Sequence, residues 1–420
     1  MRPIWATLLM ALFLALAPAA LASTTWYVDG VNGNDRNDCK SSTTACKTIG
    51  HAISRASSGD SIIAAAATYN ENLRIGISLN VTGSSAGVII NGGGRASVVT
   101  IPNVGTRVIL STLSIEGGYG LAGAGINNNG TLTISNSTIS ANNATESCAI
   151  EVQCLGGGIF NSDTGTLTIS HSNVSDNFAG TQPSGLYGGG GGIYSSFGGL
   201  TIDNSTISGN TSGAGGGIQA VAGTMHINKS TISGNSTGPG GGGAGIENED
   251  TATITNSTIS GNSAGTGVGG GINQGDTLIL SNSTVTDNSA STGEGGGIRN
   301  YFGTTTVENS IVANNTSGGN CNGGPIASNG YNLSSDGTCN FSGTGDLNNT
   351  DPKLGPLQNN GGPTQTQALL SGSPAIDDGN PSGCTDSNGN LLKTDQRGKL
   401  RPDKEDTGGC DMSAYERQSD

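Results

Sequence analysis

The sequence predicts an all-β chain wound as a right-handed parallel β-helix, closed by an N-terminal helical cap and an irregular, disulfide-bonded C-terminal cap. Three observations predict it. One phrase returns seven times: Gly-Gly-Gly-Ile, a short turn, Leu-Thr-Ile, then Asn-Ser-Thr-Ile-Ser-Gly-Asn. Each copy is about 26 residues where no loop is inserted, too short for a four-stranded propeller blade. Glycine makes up 73 of 420 residues while charged residues are only 11%, a composition suited to short strands and tight turns rather than to helices.

The chain opens on Met1, Arg2 and Pro3, an apolar run from Leu8 to Leu16, and Ala20, Leu21 and Ala22. This order is that of a secretory leader, so residues 1–22 are expected to be a signal peptide and the protein secreted, extracellular or at the cell surface. No later run approaches the roughly 20 apolar residues of a spanning helix, so no transmembrane segment is expected.

Residues 23–60 are expected to cap the first coil, because Ile49, Ala52, Ile53 and Ala56 form a helical stripe before Gly59 and Asp60 lead into the strand Ser61 to Ile63. Residues 61–320 form the coils. Their first anchor is Ile126, Ile159, Ile193, Ile218, Ile246, Ile272 and Ile298, at spacings of 33, 34, 25, 28, 26 and 26. An i, i+2 pair follows, such as Leu132 with Ile134 or Leu167 with Ile169, and then a third anchor such as Ile139 or Val174. Each repeat thus supplies three short strands. No repeat has enough apolar residues to close its own core, so like must stack on like, about 4.8 Å apart. The chirality of parallel crossovers gives the right hand.

Two polar positions recur in all seven repeats. Ser137, Ser172, Ser205, Ser230, Ser257, Ser283 and Ser310 form one ladder; Asn142, Asn177, Asn210, Asn235, Asn262, Asn288 and Asn315 form the other. A stacked asparagine donates to one neighbouring coil and accepts from the other, and it tolerates a left-handed corner, so the Asn ladder is read as structural. The Gly triplets are read as bends rather than phosphate cradles, which need a following helix and a basic or hydroxyl partner.

Residues 321–420, where the repeat decays, are expected to form the last coils and a cap. The eight cysteines fall into local pairs, Cys39 with Cys46, Cys148 with Cys154, Cys321 with Cys339 and Cys384 with Cys410, read as disulfides of an exported protein. Zinc is the competing reading, but no CxxC spacing or neighbouring His supports it.

These phrases resemble the extracellular right-handed parallel β-helix repeat proteins of bacteria, of pectate-lyase-like fold. The resemblance rests on Trp26 to Asp29 with Asn34 and Asp35, on Cys46 to Ile49, and on Gly59 with Asp60. Asn360 to Thr366, Gly372 to Asp377, Thr394 to Gly398, and Cys410 to Glu416 resemble the region called a choice-of-anchor Q domain. The repeats are also similar to those of polymorphic outer membrane proteins, which are autotransported adhesins, although nothing after the Q-like region resembles their barrel.

Lyases of this architecture use Ca²⁺-binding carboxylates and an Arg or Lys base. Between residues 120 and 320 the cations are Lys229 and Arg299, at different points of their coils, so no base is found. Hydrolases need two carboxylates about 5 to 9.5 Å apart. Asp250 and Asp276, each four residues after an anchor, stack in neighbouring coils with Glu249 and Glu247 beside them. Glu249, Asp250 and Asp276 are metal candidates for Ca²⁺, against the plainer reading of a solvated acidic loop; no catalytic residue and no other cofactor is assigned. His171 and His226 occupy different repeat positions and are not expected to share a metal. Asp395 to Gly398 with Arg401 is expected to form an ion-paired knot.

A formal charge of −14 excludes nucleic acid and disfavours polyanions. The expectation is a secreted or surface, adhesin-like binding protein whose Ser, Thr and Asn faces contact a polysaccharide or cell-surface glycan, although aromatics at 4% leave few stacking platforms. A polysaccharide lyase or glycoside hydrolase is the alternative. Ice binding by a row of Thr138, Thr206, Thr231, Thr258 and Thr284, broken by Asn173 and Ile311, is a third.

Overall fold

The computed structural model describes residues 23–149, 151–181, 187–291, 293–404 and 409–418. The expected leader lies outside them. Among the described residues no helix is long and apolar enough to cross a membrane.

The chain is a right-handed parallel β-helix. The anchor strands, such as Ile126–Asn128, and the strands that follow them, such as Thr131–Ser135, belong to one 20-stranded sheet. The third strands, such as Thr138–Ser140, form an 11-stranded sheet. A fourth rung of two residues, such as Asn143–Ala144, is added in a 5-stranded sheet, so several coils carry four strands rather than three. Like pairs with like: Ile126 with Ile159, Leu132 with Leu167, Ile139 with Val174. All of these side chains are fully buried, and each contributes roughly 1.5 to 3 kcal/mol on leaving water.

The Asn ladder is continuous. Asn177 gives both its backbone N–H and its Nδ2 to Asn210 Oδ1 at 3.0 Å, and its second amide hydrogen to the Ile139 carbonyl at 2.9 Å. Asn315 passes the ladder on to Asn320. The ladder residues are not themselves the left-handed ones, which corrects the sequence reading. The residue before each takes that conformation, as at Ala141 and Asp176 (φ 54° and 55°), so the asparagine keeps its side chain turned inward. A second left-handed corner precedes each ladder serine, at Asn136, His171, Asn204, Lys229, Asn256, Asn282 and Asn309. In the Gly triplets the first residue has positive φ, 63° at Gly156. A Cβ on the third, Gly158, would lie 2.6 Å from the Gly192 carbonyl of the next coil.

The N-terminal helix Ile49–Arg55 buries Ile49 and Ala52 over the first coil; Thr48 caps it, and Glu71 accepts from the Ile49 and Gly50 N–H groups at 2.8 and 2.7 Å. Disulfides join Cys39 to Cys46, Cys148 to Cys154, Cys321 to Cys339 and Cys384 to Cys410.

At the C-terminal end Phe341 is buried in the core and Leu347 bridges to Leu333. Beyond residue 350 the chain does not stay at the end of the solenoid. It folds back along the outer face of the 11-stranded sheet, where Thr231 donates to the Gln365 carbonyl at 2.6 Å and Thr258 to Gln396 Oε1 at 2.7 Å. The Ala414 N–H donates to Thr284 at 3.2 Å. Thr231, Thr258 and Thr284 are therefore buried. The row of threonines is not an open ladder, and the ice-binding reading loses its surface. Arg397 pairs with Asp395 at 2.7 Å and Arg401 with Glu416 at 2.8 Å, all four buried, and Arg401 also reaches Asn256 Oδ1 of the solenoid at 2.8 Å.

Candidate functional site

The residue after each anchor Ile points outward, because side chains alternate along a strand. In register these positions read Asn127, Phe160, Tyr194, Gln219, Glu247, Asn273 and Arg299. From Phe160 to Arg299 this is five coil steps, about 24 Å at the strand spacing. Phe160 and Tyr194 stack with centroids 5.7 Å apart and planes 10° apart. Just past the ends of the anchor strands Ile193–Ser196 and Ile298–Asn300 stand Phe197, and Tyr301 with Phe302. Phe197, Tyr301 and Phe302 are 62%, 53% and 79% exposed, and the last two rings lie 3.9 Å apart.

Glu247 occupies the middle of the row. Its Oε1 accepts from Asn273 Nδ2 at 2.8 Å, while its buried Oε2 has no partner and lies under the backbone of Gly242. Burial pushes its carboxyl up to about 7; Glu249 adds to the push, while the Asn273 hydrogen bond and Arg299 oppose it. Arg299 pairs with Glu294 at 3.0 Å, donates to Asn273 Oδ1 at 3.3 Å and lies 4.5 Å from the centre of the Tyr301 ring. It is the row's one cation, and its charge is already answered. Lys229 stands on another face, where Nζ donates to Thr394 Oγ1 at 2.7 Å, so the two cations do not converge.

Asp250 and Asp276 lie one coil apart, as the pairing of Thr251 with Thr277 requires. They are not equivalent: Asp250 is buried and accepts from the Thr251 N–H at 2.6 Å, and burial pushes its carboxyl up, whereas Asp276 is exposed. Glu249 is exposed as well. Among the described residues, the only three metal-ligand side chains with ligand atoms within 4.8 Å of one another are Cys39, Cys46 and His51, and both thiols there are in a disulfide. Glu249, Asp250 and Asp276 thus form an acidic patch, not a cage. His226 lies in the strand Ile218–Asn228 and His171 at a left-handed corner outside any strand.

Sequence reasoning missed two features. The aromatics are scattered in the sequence, yet stacking of coils sets Phe160 against Tyr194, and Tyr301 beside Arg299 of the same row. A second buried polar ladder also runs two residues after the anchors, with Asn128 donating to Asn161 at 2.8 Å and Asn248 to Gln274 at 2.6 Å. Its signal was the polar residue at the inward position of the anchor strand.

Among solved structures, pectate lyase Pel9A aligns over 94% of this chain and 97% of its own, with a TM-score of 0.52 and 14% identity. The fold is the pectate-lyase-like parallel β-helix. XylC, solved in complex with xylose, aligns over 94% and 98% with a TM-score of 0.51 and 10% identity. No family model matches the sequence and no curated protein matches it.

Proposed function

We propose that the protein is a secreted or cell-surface, adhesin-like carbohydrate-binding β-helix that takes a neutral glycan chain along the anchor-strand face. One observation carries this reading: aromatic rings stand at both ends of a row about 24 Å long, with the half-buried Gln219 and the buried, mutually bonded Glu247 and Asn273 between them. The face is acidic and its one cation is paired with Glu294, so a uronate chain meets carboxylates and no free counter-charge. The expected leader and four disulfides support export.

A glycoside hydrolase is the second reading. What favours it is Glu247, a carboxyl held near neutrality beside the exposed Glu249, the environment a general acid needs. Its free oxygen is buried against Gly242, however, and is not open to a substrate.

The test is to pass the purified mature protein over neutral polysaccharides and polygalacturonate, with and without Ca²⁺, while following reducing and unsaturated ends. Retention on a neutral polymer without product is expected. Preference for polygalacturonate would overturn the binding assignment; release of reducing ends abolished by Glu247→Gln would replace it with the hydrolase.

A further inference from the structure

The outer face of the 11-stranded sheet is covered by the tail only in part. Thr231, Thr258 and Thr284 have their hydroxyls answered by tail residues. The same row continues in register through Thr206, Asn173 and Thr138, and here the tail stops short. A groove of about 770 Å³ is left, within the range of small-molecule sites. Thr138, Asn173, Thr206 and Ser208 line its floor, while Asn136, His171 and Asn204 stand at the left-handed corners along one side. The tail turn with Asn359, Pro363 and Gln365 walls the other.

Two features of this groove point to its ligand. In a chain of net charge −14, none of its fourteen lining residues is Asp, Glu, Lys or Arg. Asn173 Oδ1 is also buried with no hydrogen-bond partner, while its Nδ2 donates to Ser175 at 3.2 Å. A buried amide oxygen left unsatisfied costs about 1 to 3 kcal/mol, and the half-buried Asn173 relieves it by turning its carboxamide toward a hydroxyl in the groove, which both donates and accepts.

We propose that this groove is a second carbohydrate site, for a neutral oligosaccharide, separate from the anchor-strand face. Carboxamides and hydroxyls repeating at the strand spacing suit a chain of hydroxyls, and the exposed Pro363 ring offers an apolar wall to a sugar's C–H face. A polypeptide is the less favoured occupant. Where the tail itself covers this sheet, Lys229 at a solenoid corner donates to Thr394, and the corners of the groove, Asn136, His171 and Asn204, carry no lysine to repeat that contact.

The experiment is calorimetric titration of the full mature protein with xylohexaose, cellohexaose and maltohexaose. Two sites are expected for at least one sugar, with Asn173→Ala weakening one at least tenfold and Tyr194→Ala the other. Thr206→Phe, which fills the groove from a half-buried position, should reproduce the Asn173→Ala loss with an unchanged melting temperature. If only the anchor-face reading fails, Tyr194→Ala is silent and the Asn173-dependent site remains. Absence of any site sensitive to both groove variants overturns the proposal. So does binding of a synthetic peptide spanning Asn359 to Leu369, lost in Asn173→Ala, with no sugar bound.

Discussion

A carboxyl's behaviour here depends on what covers it, since the pleat points residues i and i+2 the same way. Glu247 and Glu249 are two residues apart on one strand, yet the first is buried with an orphaned oxygen and the second is exposed. Glu247 ordinarily titrates near 4.5 and is held near 7 in the fold, so between these values the native state binds more protons than the unfolded chain. Its contribution to stability is fully present below about pH 4.5 and is lost as pH rises through 7, a change of about 3 kcal/mol. Glu247→Gln should match the wild type in denaturant midpoint at pH 4 and exceed it at pH 8. Midpoints that run parallel across this range would show that Glu247 is not held protonated. The burial of Asp250 beside the exposed Asp276 was equally illegible: both stand four residues after an anchor, and only the local turn decides which one finds a backbone N–H.

The solenoid elements were legible because their positions are set by stacking. The anchors, the i, i+2 pairs and both ladders fall in register where the repeat placed them, and the helix over the first coil is the stripe of Ile49 and Ala52. The tail was legible only in part. Asp395 with Arg397 is the expected knot, but Arg401 pairs with Glu416, and the docking of Gln365, Gln396 and Ala414 on Thr231, Thr258 and Thr284 has no repeat to announce it. Nothing in the sequence separates those threonines from Thr138 and Thr206, which stay uncovered. Burial pushes Glu416 up, Arg401 pulls it back, and Asp411 adds a further push. Arg401→Ala removes that support and leaves Asn256 Oδ1 without its donor, and should cost about 3 kcal/mol in chemical denaturation. A change under about 1 kcal/mol would mean that the tail is held by its other contacts alone.

Across the whole molecule, the solenoid turns a sequence poor in aromatics and charge into faces with distinct chemistry. Loop insertions make the anchor spacing run from 25 to 34 residues, so Phe160 and Tyr194, or Glu247 and Arg299, are far apart in sequence and one or two coils apart in space. Average composition hides such a face; register reveals it. The central claim is that this face binds a neutral glycan, and affinity electrophoresis of the wild type and the Phe160→Ala/Tyr194→Ala double variant through gels containing xylan or β-glucan tests it most directly. Retardation of the wild type, with apparent affinity at least about tenfold weaker in the double variant, is the predicted result, as loss of about 1.4 kcal/mol of ring contact requires. Equal retardation of the two proteins, both folded, would contradict it.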